Sequence, residues 1–221
     1  MLDQLRIGDK YSYDSYGASV KERKISAPSK KVIKETVPFS NETYDFSAIN
    51  GELYWQERQL EYILEMDADT PEALESLKIA FNAWVMNVQK EELHDPFIKD
   101  YHFIATFDSI SFDDSEVEKT TITVRFTAYP YMIANTKKSY SSLVITAESS
   151  VNIVNNSARK VTPTFVCSTP VTVTIDGKSY SLGATTTTNE EIKLAIGTTT
   201  MKVKANSGNG NFKVEFAEEV F

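Results

Sequence analysis

The feature that most constrains this chain is a two-residue alternation of apolar and polar side chains that keeps returning along its length. Leu60, Tyr62, Leu64 and Met66 fall on one side of the run from Gln56 to Met66, and Ile122, Val124, Phe126 and Ala128 on one side of the run from Thr120 to Tyr129. Successive side chains of a strand point to opposite faces, so this spacing describes strands half buried on a core and half facing water. Asp100 to Phe107 reads as a further strand, with the acidic stretch Asp113-Asp114-Ser115-Glu116 as the hairpin tip that follows it. Aromatic residues make up 11% of the chain, mostly Tyr and Phe, and these types fit a half-buried pleated surface. The expectation is a mainly β protein.

One segment breaks the pattern. Leu74, Leu77, Phe81, Trp84, Val85 and Val88 recur at helical spacing and form one apolar stripe. Asp69 or Thr70 can cap the N-terminus, Pro71 suits the first helical position, and Glu72 faces the positive end of the dipole. The spacing predicts a helix over 71–88 lying on the sheet.

Ahead of it, Tyr11-Ser12-Tyr13 alternates as a short strand and Asp14-Ser15-Tyr16-Gly17 reads as a turn. Lys31 to Val37 is strand-like and stops at Pro38, while Asn41-Glu42-Thr43 and Asn50-Gly51 carry turn chemistry. The basic run Lys21-Glu22-Arg23-Lys24, with Lys30, Lys31 and Lys34 behind it, is interrupted by acid and reads as a solvated loop. Beyond the strands the composition turns polar between Ala134 and Lys160, which places a domain boundary there and divides the chain into 1–136 and 137–221. In the second part Asp176-Gly177 sits between Val171–Ile175 and Lys178–Leu182, the dipeptide favoured by two-residue hairpins. Met201–Ala205 and Phe212–Phe216, flanking a Gly-rich segment, read as a second hairpin. Short strands at this spacing imply a small β-sandwich.

The inventory for chemistry is thin. A formal net charge of −8 opposes nucleic acid as a main partner. A single cysteine, Cys167, excludes an intrachain disulfide and suits folding in a reducing cytosol. The N-terminal residues do not read as a signal peptide, and no apolar run approaches the length of a membrane span, so no membrane partner is expected. His94 and His102, with Glu91, Glu92 and Asp100 nearby, match no zinc spacing, and His102 between Tyr101 and Phe103 reads as packing. The acidic stretch at Asp113 lacks the alternation of a calcium loop. No Gly-x-Ser-x-Gly elbow occurs, and no Gly-Lys-Ser/Thr follows Ser207-Gly208-Asn209-Gly210. No catalytic residue, metal ligand or cofactor is therefore assigned, and the chain is read as a non-enzyme. A carbohydrate-binding module for cell-wall attachment is the rival reading. Both tryptophans, Trp55 and Trp84, lie outside the C-terminal sandwich, whose Phe165, Phe212 and Phe216 alternate as core.

The N-terminal block carries a family resemblance. Ile7-Gly8-Asp9-Lys10-Tyr11-Ser12-Tyr13 is followed by Tyr16-Gly17, then Ile25-Ser26-Ala27-Pro28, Val37-Pro38-Phe39-Ser40, Tyr44-Asp45-Phe46-Ser47 and Gly51-Glu52-Leu53-Tyr54-Trp55-Gln56-Glu57-Arg58. In order and spacing this resembles the opening of the siphophage distal tail proteins, the Dit family, a phage tail component. Asn155-Asn156-Ser157-Ala158 stands roughly where that family has Asn-Gly before a strand, here Pro163 to Val166. One departure is Pro38-Phe39, where the family has Pro-Gly. The resemblance implies an N-terminal β-sandwich with one packed α-helix, followed by a small galectin-like β-sandwich. It implies a baseplate hub of the virion tail tip, made in the host cytoplasm and encoded by a phage or prophage. Such a hub is a homohexameric ring that joins the tail tube to the tail fibre or tail-associated lysin, with DNA passing through its channel without specific binding. Tyr11, Tyr13, Phe39, Tyr44 and Phe46 are the candidate oligomer contacts, since aromatics are enriched in interface cores.

Overall fold

A computed structural model describes residues 3–39, 41–48, 51–114, 116–144 and 146–221. Ser40, Asn50 and Ser115, which belong to three of the segments discussed above, and the first two residues of the chain lie outside the described residues. The chain forms two compact units, one running to Met132 and including Phe221, the other from Ile133 to Val220.

The first unit holds β1 (Arg6–Ile7), β2 (Lys10–Tyr11), α1 (Ser12–Tyr16), β3 (Ala18–Ile25), β4 (Lys34–Thr36), β5 (Thr43–Asp45), β6 (Arg58–Asp67), α2 (Pro71–Met86), β7 (Glu91–His94), β8 (Tyr101–Asp113) and β9 (Lys119–Ala128), with β10 (Met132–Ala134) at the passage to the second. Its main sheet runs in the order β2-β1-β7-β8-β9-β6-β3. The alternation read from the sequence is the pattern observed: Leu60, Tyr62, Leu64 and Met66 on β6 and Ile122, Val124 and Phe126 on β9 have no exposed surface, and they share one core with Leu74, Phe81 and Val85 of α2. Thr70 is the residue that caps α2, its hydroxyl accepting from the Ala73 amide at 3.2 Å. A cap of this kind contributes about 1 kcal/mol.

Two local expectations fail. The segment Ser12–Tyr16 is one turn of helix, so Tyr13 stands on a helix and not in a strand. The Ser12 side chain explains this: fully buried, it donates to the Ala18 carbonyl at 2.8 Å and accepts from the Leu5 amide at 3.0 Å, which pins the helix start between two strands. Gly17 closes the turn at φ +71°, a left-handed value that a side chain resists. The turn delivers Tyr16 onto α2, stacked on Trp84 at 4.9 Å and edge-on to Phe81 at 5.8 Å. The basic run around Lys21 is likewise no loop but part of β3, with a bulge between Val20 and Glu22. Its charges are absorbed across the sheet: Lys24 and Arg125 both meet Glu61, at 2.8 and 2.7 Å, and Lys119 and Lys21 meet Glu65, at 3.0 and 3.6 Å.

The second unit is a sandwich of two four-stranded sheets. Its strands are β11 (Lys138–Val144), β12 (Ser149–Asn155), β13 (Thr164–Cys167), β14 (Val171–Ile175), β15 (Lys178–Leu182), β16 (Thr186–Thr188), β17 (Gly197–Ala205), β18 (Gly210–Phe216) and β19 (Glu219–Val220). One sheet is ordered β11-β18-β13-β16 and the other β12-β17-β14-β15. The β14–β15 hairpin turns on Asp176 and Gly177, both at positive φ. The expected second hairpin does not exist, because β17 and β18 belong to different sheets. Each is flanked on both sides within its own sheet, and Met201, Val203 and Ala205 face the same core as Phe212, Val214 and Phe216. The connection therefore crosses from one sheet to the other, and Gly210 meets Thr169 so closely that a Cβ would lie 2.4 Å from its methyl carbon. The chain as a whole is mainly β, as the alternation and the resemblance both lead one to expect.

Candidate functional site

Between β3 and β6 the chain forms an arm. β4 and β5 pair only with each other, matching Lys34 with Asp45, Glu35 with Tyr44 and Thr36 with Thr43. The arm is held along its length by bonds to itself: the Phe46 amide donates to the Ile33 carbonyl, that of Lys31 to Tyr54, and that of Gln56 to Ser29, each at 2.8 Å. The hydroxyl of buried Ser47 accepts from the Ile33 amide at 2.9 Å, and the Ser47 amide donates to Asp45 Oδ1, also at 2.9 Å. Every described residue from 31 to 46 is exposed.

Three of the five candidate contact residues lie on this arm. Phe39 is fully exposed between β4 and β5, while Tyr44 and Phe46 are exposed and stack at 6.4 Å. Tyr11 and Tyr13 lie elsewhere, on β2 and α1; Tyr11 is exposed and Tyr13 half-buried. β2 and β3 are opposite ends of the main sheet, so Tyr11 and the arm that follows β3 sit at different edges. The sequence reading missed Val32, Ile33, Val37, Leu53 and Tyr54, all exposed on the same arm. A signal existed: Val32 and Ile33 are adjacent, and neighbours on a strand cannot both face one core. Eight large apolar residues on a two-stranded ribbon are more than such a ribbon carries unpartnered in water.

The structure also gathers residues that the sequence keeps apart. Glu92, His94 and His102 bring one ligand atom each to within 4.8 Å of one another, whereas Glu91 and Asp100 do not join them. Beside them Asp95 is buried, accepting from Tyr62 Oη at 3.1 Å, from Arg23 at 2.5 Å and from the Phe97 amide at 2.8 Å. Burial, then the Asp95 charge, pushes the Tyr62 hydroxyl well above its ordinary pKa, so it stays a donor. In the second unit an open cavity of about 580 Å³ is lined by Ser141, Ser142, Leu143, Ser168, Asn211 and Lys213, with Cys167 and the buried Phe212 behind. It offers hydroxyls and an amide but no exposed aromatic platform among the described residues. Burial pushes the Cys167 thiol up, which disfavours the nucleophilic thiolate. Among the described residues no helix is long and apolar enough to cross a membrane.

No protein-family profile and no curated protein sequence matches this chain. Solved structures do. The Dit protein of phage SPP1, described as a paradigm of the hub adsorption apparatus in phages infecting Gram-positive bacteria, superposes with a TM-score of 0.67 at 16% identity, covering 98% of this chain and 100% of that one. Chains of the phage P2 baseplate in its activated conformation, with Ca and with Sr, match at TM-scores of 0.44 and 0.42 and at 11% and 10% identity. They cover 97% and 98% of this chain, and 98% of each of those. The agreement with SPP1 Dit runs over both units of a chain whose first sixty residues already resemble that family, and the protein has the fold of a phage distal tail protein.

Proposed function

We propose that this protein is a structural hub of a phage tail tip, assembling through its N-terminal unit into a closed ring of six that joins the tail tube to the tail fibre or tail-associated lysin. The observation that carries this reading is the exposed apolar arm on a Dit fold. The occupant of the arm is a second copy of the same chain. The arm stands at one edge of the main sheet and exposed Tyr11 at the other. An interface made from two different patches of one molecule is head-to-tail, and it closes into a ring when its rotation divides the circle. Tyr11, Phe39, Tyr44 and Phe46, joined by Val32, Ile33 and Tyr54, are the residues such a contact would bury. The role is one of geometry: the ring has no substrate to turn over, and DNA passes through its channel without being bound.

The test is assembly with and without the arm's apolar surface. The full chain should sediment as a hexamer at high concentration or with its tail-tube partner. Replacing Val32, Phe39, Tyr44 and Phe46 together by Ser should leave a folded monomer that enters no ring. A quadruple variant that assembles like the parent would remove the arm from the interface.

A further inference from the structure

A row of side chains crosses the β1–β7–β8 part of the main sheet. Arg6 on β1 pairs in register with His94 on β7. The β7–β8 register matches Leu93 with Phe103, so His94 comes opposite His102, their rings 5.1 Å apart. Glu92 lies two residues before His94 and so on the same face. Its carboxylate reaches both rings, one oxygen 3.3 Å from His94 Nε2 and the other 3.8 Å from His102 Nε2.

We infer that Glu92, His94 and His102 form a binding site for a borderline transition-metal ion of the Zn²⁺ or Co²⁺ type, and that Arg6 competes with the ion for His94. Donors around one tetrahedral zinc stand roughly 3.3–3.6 Å apart, given bonds of about 2.0–2.2 Å. The two separations measured to Glu92 are already at or near that span, and all three donor atoms lie within 4.8 Å. Small side-chain rotations close the remainder, and Glu92 is exposed. Two imidazoles and one carboxylate leave a fourth position for water, a donor set suited to zinc and cobalt and poor for calcium or magnesium.

A cation already takes one of these lone pairs. The Arg6 guanidinium donates to His94 Nε2, so that nitrogen is an acceptor and its lone pair points at positive charge. Bound metal would tie β7 to β8 and release Arg6, a residue of β1, from the row.

The experiment is titration of untagged, chelator-treated full chain with Co²⁺, followed by its visible ligand-field absorption. The expected result is one Co²⁺ per chain with the intense bands of four-coordinate geometry, displaced by Zn²⁺. Glu92→Gln and His94→Gln, at positions that are not deeply buried, should each weaken binding by at least about tenfold with the fold unchanged by circular dichroism. Arg6→Ala should tighten it. Weak bands of six-coordinate hydrated Co²⁺, equal affinity in parent, Glu92→Gln and His94→Gln, or no gain in Arg6→Ala would overturn the inference.

Discussion

Replacing Phe39 by Gly separates folding from assembly at one residue. Phe39 sits at φ +64° with its ring wholly in water. A side chain in the left-handed region costs about 1–2 kcal/mol, which glycine avoids. Glycine in turn loses about 0.5–1 kcal/mol through the entropy of the unfolded chain. The monomer should therefore be unchanged or up to about 1.5 kcal/mol more stable, because no native contact of an exposed ring is lost. The interface should behave in the opposite way. Burying a Phe side chain contributes about 1.5–3 kcal/mol, and each 1.4 kcal/mol is about a tenfold change in affinity. Each ring contact should weaken by about 10- to 100-fold. Chemical denaturation at low concentration reads the first effect, and sedimentation velocity over a concentration series reads the second. A variant that assembles like the parent, or whose monomer loses more than about 1 kcal/mol, would refute the reasoning.

Other consequences concern the two units separately. Asn155 is fully buried; its Nδ2 donates to the Leu194 carbonyl at 3.0 Å and the Arg159 carbonyl at 3.2 Å, and its Oδ1 accepts from the Ser157 amide at 3.0 Å. Asn155→Ala should cost about 2–3 kcal/mol, read by urea denaturation, since it strips partners from buried backbone groups. Gly210→Ala should cost about 1–3 kcal/mol in the same assay, because its methyl would overlap Thr169. The hydrogen bonds from Lys24 to Glu61, from Lys119 to Glu65 and from Lys78 to Asp114 lower those three carboxylate pKa values in the folded state. Their contribution is present above the unfolded carboxylate range and is lost as pH falls through the depressed folded values. The Tm should therefore drop on acidification below about pH 4.3, and less steeply in 1 M salt, which screens exposed pairs. An equal drop at low and high salt would mean that these pairs contribute nothing.

What the sequence disclosed and what it hid divide along the range of the forces involved. β6, β9, α2 and the Asp176-Gly177 turn were legible because burial period, capping and turn chemistry are written in consecutive residues. The helical turn at Ser12 was hidden because its cause is two bonds to Leu5 and Ala18, one on either side in the chain. The false hairpin of β17 and β18 had correct strands and a plausible glycine-rich link. Only the competing partners, β12 and β14 for one and β11 and β13 for the other, reveal that the chain changes sheets there. The histidine pair was invisible for the same reason. His94 and His102 have no ligand spacing along the chain, and the β7–β8 register alone sets them face to face. The arm was half seen: its aromatics stood out by type, but Val32, Ile33 and Val37 were legible only as part of a strand-like run ending at Pro38.

The measurement that bears most directly on the hub role is electron microscopy of the purified full chain, alone and mixed with its tail-tube partner. The hub role predicts closed rings of six subunits with a central channel, lost when the apolar residues of the arm are replaced. A protein that remains monomeric at high concentration and in the presence of that partner, or that forms rings unaffected by the arm variant, would contradict it.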